Sequence, residues 1–121
     1  MMRQGVYISK EKMIRTYKDG QLHCDTYPAI YLSRDTNSTF EYWYKEGKLH
    51  REDGPAHSNY DQIYSHKYWY LNGFQHREDG PAVVWSRAGV ISLVDWFLFG
   101  KRIPKCESVG DLKRFKLKAF L

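Results

Sequence analysis

Apolar and polar residues alternate with a period of two over short stretches that end on glycine, as in Phe40-Glu-Tyr-Trp-Tyr-Lys-Glu-Gly47 and His66-Lys-Tyr-Trp-Tyr-Leu-Asn-Gly73. That period is the spacing of a pleated strand, and the glycine supplies the positive φ a tight hairpin turn requires. Upstream lie extended apolar segments (Ile30-Tyr-Leu32, Val83-Val-Trp85), followed by turn-type residues: Asp35-Thr-Asn-Ser38, Asn59-Tyr-Asp61 and Arg87-Ala-Gly89. The pattern predicts a mainly β fold, a meander of antiparallel hairpins. Strand parity places Tyr17, Tyr44, Tyr70 and Phe97, with Met13, Phe40, His66 and Leu93, on the face expected to be buried. Trp43, Trp69 and Trp96 fall on the opposite face, beside Glu41, Lys45 and Lys67.

The pattern is periodic on a longer scale. Gly20, Gly47, Gly73 and Gly100 are spaced by 27, 26 and 27 residues, and His50-Arg-Glu-Asp-Gly-Pro-Ala56 recurs letter for letter as His76-Arg-Glu-Asp-Gly-Pro-Ala82. His23-Cys-Asp-Thr-Tyr-Pro-Ala29 keeps the His, Pro and Ala, whereas the fourth unit offers Ile103-Pro-Lys-Cys106. Four units result, about 5–29, 30–56, 57–82 and 83–106, in one domain spanning 1–121. Degenerate outer units around two regular inner ones are expected of caps on a stacked array.

After the repeats, Ser108 with Asp111 three residues on resembles a capping box, and Val109, Leu112, Phe115 and Ala119 form one stripe. This predicts a short helix over 108–120 that caps the open last edge of the sheet. Its other face is basic. Residues 1–100 carry 12 basic and 12 acidic side chains, so the whole net charge of +5 resides in residues 101–121. The basic character therefore belongs to a tail and not to the body, which argues against a whole-surface nucleic-acid binder. Cys24 and Cys106 lie at opposite ends of the array without C-x-x-C spacing, and are expected to be free thiols. No run approaches the ~20 apolar residues of a membrane span, and no secretory h-region follows Met1, so the chain is expected to stay in the cytoplasm where it is made.

The Tyr-x-x-x-Gly-Lys-Leu-His rhythm over about residues 13–106 resembles the variant MORN-type repeats found in bacterial, phage and large-virus proteins. The His-Arg-Glu-Asp-Gly-Pro-Ala form is similar to arrays of phages and giant viruses. The resemblance implies an elongated β scaffold used for interactions, brings no catalytic residues with it, and places a phage protein in its host's cytoplasm.

His50-Arg51-Glu52-Asp53 combines a base, an anion clamp and two carboxylates, yet a catalytic centre needs one asymmetric constellation. A set copied into successive units fits a packing task better. On that reading Asp-Gly-Pro makes a turn in which glycine takes the awkward φ, Arg51 and Arg77 stack on aromatics or pair with acids, and the histidines hydrogen-bond between units. His23, His50, His57, His66 and His76 show repeat spacing and not metal-ligand spacing, and no cofactor is implied. Candidate binding residues are Trp43, Trp69, Trp96, Arg51 and Arg77, unless the connectors cover the tryptophans, and Lys113, Arg114, Lys116 and Lys118 of the helix. The expected function is a non-enzymatic interaction protein that binds, and in a phage setting inhibits, a host protein. Nucleic-acid or anionic-surface binding through the basic segment is the alternative, and a small hydrolase or nuclease using His and carboxylates is a third. An uncovered terminal hairpin would allow an edge-mediated dimer in place of a monomer.

Overall fold

The computed structural model of the chain describes residues 2–34 and 37–120, with the side chains of 119 and 120 excepted. The chain is mainly β and carries one C-terminal helix. Its strands are β1 (Gly5–Ile8), β2 (Ile14–Lys18), β3 (Gln21–Leu22), β4 (Ile30–Ser33), β5 (Thr39–Tyr42), β6 (Tyr44–Lys45), β7 (Lys48–Leu49) and β8 (His57–Tyr60) in the first half. There follow β9 (Tyr64–Tyr68), β10 (Tyr70–Leu71), β11 (Phe74–Gln75), β12 (Val83–Arg87), β13 (Val90–Asp95), β14 (Phe97–Leu98) and β15 (Lys101–Arg102), then α1 (Val109–Phe120). One antiparallel sheet runs β1-β2-β4-β5-β8-β9-β12-β13, a meander in sequence order. The returning strand is interrupted at the tryptophan position, with Trp43 between β5 and β6, Trp69 between β9 and β10, and Trp96 between β13 and β14, whereas β2 runs unbroken through the equivalent Thr16.

Beyond that position each unit closes a short hairpin in the same register, with Tyr17 opposite Leu22, Tyr44 opposite Leu49, Tyr70 opposite Gln75 and Phe97 opposite Arg102. Both central turn residues have positive φ in every unit: Asp19 and Gly20, Glu46 and Gly47, Asn72 and Gly73, Phe99 and Gly100. These are type I′ turns, whose twist matches the flanking strands. The hairpins stack on one another. The N–H of Gly47 donates to the Leu22 carbonyl (3.0 Å), Gly73 to Leu49 (2.8 Å) and Gly100 to Gln75 (2.8 Å), so each hairpin is laid against the one before it.

The loops at the other end of the long hairpins are less uniform. Ala88-Gly89 forms another type I′ turn. Asn59 and Tyr60 remain in β8, contrary to the turn expected there; the reversal falls at 61–63, where Asp61 Oδ1 accepts from the N–H groups of Ile63 and Tyr64 at 2.7 Å each. That pair of bonds holds the Asp61 carboxyl below its usual pKa. In the turn expected at 35–38, Asp35 and Thr36 lie outside the described residues.

The face expected to be buried is so only in part. Cross-strand rows Ile30-Tyr42-His57-Tyr68-Val83 and Leu32-Phe40-Asn59-His66-Trp85-Leu93 share it. Leu32 and Val83 are buried, but Trp85 and Leu93 are 36% and 39% exposed. Deep burial lies instead at Ala29, Ala56 and Ala82, each 0% exposed where a connector enters the sheet, and around Trp96, Leu98, Ile103 and Leu112. Parity assigns side chains to faces but does not say which face is covered; here that depends on the connectors and the helix.

Helix α1 is capped as its sequence suggests: Asp111 N–H donates to Ser108 Oγ (3.1 Å), and Asp111 Oδ2 accepts from Glu107 N–H (3.0 Å). Its position differs from expectation. Leu112, with Val109 and Phe115, covers Trp96, Leu98 and Ile103, so the helix caps the stack of short hairpins and leaves the edge strand β13 exposed along most of its length. No helix among the described residues is long and apolar enough to cross a membrane.

Candidate interaction surface

The connectors show what the repeated residues do. In each of the first three units the histidine Nδ1 accepts the N–H of the first turn residue of the following unit: His23 from Glu46 (3.0 Å), His50 from Asn72 (2.9 Å) and His76 from Phe99 (2.9 Å). An accepting Nδ1 is unprotonated, so the proton resides on Nε2. That nitrogen faces a carboxylate two residues on, at 3.2 Å from Asp25, 3.5 Å from Glu52 and 4.0 Å from Glu78; the His23 contact lacks hydrogen-bond geometry. Burial is the main reason His76 titrates below an ordinary imidazole. The fourth unit has no following turn to bind, and its equivalent position is Ile103, 5% exposed against the helix.

The next residue of the connector is equally committed. Arg51 Cζ lies 3.9 Å from the centre of the Trp43 ring, and Arg77 Cζ lies 3.9 Å from that of Trp69. Each guanidinium donates through Nε to its own connector, Arg51 to Asp53 and Arg77 to Asp79, both at 2.9 Å. Each also reaches the proline carbonyl, Pro55 at 3.3 Å and Pro81 at 3.0 Å. Gly54 and Gly80 do not take positive φ, contrary to expectation. Their reason is space: a Cβ would lie 2.9 Å from Arg51 Cζ at position 54 and 2.7 Å from Arg77 Cζ at position 80. Tryptophan, guanidinium and glycine therefore form one layered set.

The first unit confirms that logic by losing all three together. Thr16 stands at the tryptophan position, Cys24 at the arginine and Tyr27 at the glycine, so the bulky Tyr27 displaces no guanidinium. An apolar groove of about 460 Å³ remains there, lined by Val6, Ile14, Thr16, Cys24, Tyr27 and Pro28 among others. Both cysteines are free, as expected. Between successive connectors lie polar grooves of about 260 and 630 Å³, bordered by the carboxylates and arginines already described. Among the described residues no group of three or more His, Cys, Asp or Glu could hold a metal ion.

The expected site residues are thus distributed as follows. Trp43 and Trp69 are half-buried under Arg51 and Arg77, and Trp96 is buried by α1, so the three do not form an open stacking column. On the helix, Lys116 pairs with Glu78 of the third connector and Arg114 with Asp111, while Lys113 and Lys118 are exposed. The Lys116 ammonium holds the Glu78 carboxyl below its usual pKa.

The opposite face, expected from the sequence to be buried, holds residues that sequence reading did not single out for binding. His57 is stacked between Tyr42 (4.2 Å) and Tyr68 (5.0 Å), and burial pushes its pKa down. Beside that stack Trp85 donates its indole N–H to Tyr68 Oη (2.9 Å) and packs on His66 (4.6 Å). Its ring is thus held in one orientation while over a third of the residue stays in solvent, with exposed Leu93 paired directly beside it and exposed Ile63 and Tyr64 on the neighbouring hairpin. Trp85 lies outside the recurrent heptapeptide and the glycine-ended aromatic stretches, and that departure from the repeat was the available signal. The chain matches no protein-family model, no curated protein and no solved structure.

Proposed function

We propose that the chain is a non-enzymatic interaction protein that recognises a protein partner through the aromatic face of its third and fourth units, around Trp85. The reading is supported above all by the contrast between two sets of side chains. Residues copied from unit to unit are consumed in joining units, as a scaffold requires, whereas Trp85 is a single, oriented and exposed aromatic with apolar neighbours. Rigid aromatic anchors of this kind dominate protein interfaces. The resemblance to phage and giant-virus repeat arrays suggests a host protein as the partner and its inhibition as the use.

Affinity capture from a bacterial lysate, followed by titration of the captured protein against variants, tests the reading. Trp85→Ala should weaken binding by about 10- to 100-fold, the range of an interface anchor. Exchanging Lys113 and Lys118 for Glu should leave it within about twofold, since rim charges contribute little. The reverse ranking, with affinity falling steeply as salt rises, would replace this reading with an anionic partner bound through α1.

A further inference from the structure

The position held by tryptophan in three units is held by Thr16 in the first. Its backbone frame is nonetheless the same. Thr16 N–H donates to the Ala29 carbonyl at 2.8 Å, and the Thr16 carbonyl accepts from His23 N–H at 3.0 Å. Trp43 makes the same two bonds with Ala56 and His50 at 2.6 and 3.0 Å, and Trp69 with Ala82 and His76 at 2.8 and 3.1 Å. The frame that carries an indole elsewhere is therefore built here without one, and the groove of about 460 Å³ lies where the ring and its guanidinium would be. Tyr27 does not fill it, being 71% exposed. Trp43 and Trp69 are covered by arginine and Trp96 by α1, so of the four equivalent places the first is the open one.

The walls of the groove select its occupant. Val6, paired with Thr16, and Ile14, paired with Tyr31, make it apolar along the strands, and Pro28 closes the connector side. Next to Tyr31 in the same cross-strand row stands Glu41, which borders the groove. Its one hydrogen bond among the described residues comes from Ser58 Oγ at 3.4 Å, which is long, so the carboxylate retains capacity for a donor. In the second and third units the cation over the ring is Arg51 or Arg77, paired with Asp53 or Asp79. The first unit has Cys24 and Thr26 at those positions and so lacks both members of that pair. A flat ring bearing a protonated amine supplies the two missing parts, aromatic plane and cation, and Glu41 supplies the counter-charge. An aliphatic cation would leave the plane empty, and an aromatic acid would meet Glu41 with like charge. A largely apolar cleft of this volume with few polar groups is the usual form of a small-molecule site.

We propose that this groove binds a small aromatic amine in its protonated form, the ring taking the place of the tryptophan and the ammonium facing Glu41. The site is on the other side of the sheet from Trp85 and does not depend on the partner proposed there. Tryptamine titrated into the intact chain at neutral pH, followed by amide NMR, should bind saturably with a dissociation constant on the order of 0.1–1 mM, as suits a ligand of its size. The shifts should centre on residues 14–16, 24–28 and 31. Indole-3-acetate, the same ring with a negative charge, should bind at least about tenfold more weakly. Glu41→Gln should weaken tryptamine by about three- to tenfold and so bring it close to neutral indole. Thr16→Trp, which returns the repeat's own ring to the frame, should abolish binding. The ligand comparison and Glu41→Gln decide even where Thr16→Trp fails to fold. No saturable binding of tryptamine below about 10 mM, equal affinity for indole-3-acetate, binding retained by a folded Thr16→Trp chain, or shifts centred on Trp85 would each overturn the proposal.

Discussion

Gly80→Ala isolates the layered set of tryptophan, arginine and glycine. Gly80 does not take positive φ, so alanine meets no backbone penalty and by itself stabilises by about 0.5 kcal/mol through the unfolded chain. The new Cβ, however, would lie 2.7 Å from Arg77 Cζ, and the three nearest atoms all belong to Arg77. The guanidinium is the movable party, so the cost is the set of interactions it leaves and not a rigid clash. Those are a ring contact at 3.9 Å worth about 1 kcal/mol, and the bond to the Pro81 carbonyl at 3.0 Å worth about 1 kcal/mol more. The pairing with Asp79 adds little, because that carboxylate is exposed and solvent-screened. Gly80→Ala should therefore destabilise by about 1–2 kcal/mol, a shift of roughly 4 °C per kcal/mol in thermal melting. In an Arg77→Ala background the same change should be neutral or slightly stabilising, giving a coupling of about 2 kcal/mol in a double-mutant cycle. Equal destabilisation in both backgrounds would refute the reasoning and return the glycine to a backbone role.

Leu112→Ala removes a 2% exposed side chain from the cap over Trp96 and should cost about 2–4 kcal/mol in denaturant unfolding, with a rise in tryptophan quenching by iodide. His76 and His57 titrate below the ordinary 6.5 in the fold, so the unfolded chain binds more protons as the medium acidifies; their contribution is complete above pH 6.5 and declines below it. Melting temperature should fall from pH 7 to 5, and fall less steeply in His76→Ala, which should itself be destabilised at pH 7 by loss of the acceptor for Phe99 N–H. Tyr27→Gly in the first unit should lack the benefit glycine brings at 54 and 80, because Cys24 places no guanidinium there; unchanged or lower stability in calorimetry is expected.

The strands and the turn glycines were legible because period-two alternation and the paired positive-φ positions are local properties. The bridging histidines and stacked arginines were readable in kind, since a residue repeated at fixed phase has a fixed neighbour. Three features were not. The role of Gly54 and Gly80 depends on Arg51 and Arg77 folding back across three residues, and glycine's backbone freedom gave the more obvious account. The depth of Trp96 depends on where α1 docks; its stripe shows that it packs on something, not on what. The exposure of Trp85 and Leu93 depends on what covers their face of β12 and β13, and α1 packs on the short hairpins instead.

The letter-for-letter heptapeptides, His50–Ala56 and His76–Ala82, occupy equivalent places, each accepting a backbone N–H from the turn ahead and laying its arginine on the tryptophan behind. Any genetic exchange that joins one heptapeptide to the other therefore adds or deletes a whole period and cuts no contact midway, because both sides of the junction already suit it. Array length is thus free to vary in the lineage by unequal crossing-over, while the dissimilar ends, with Thr16, Cys24 and Tyr27 at one and Ile103 under its helix at the other, are carried along unaltered.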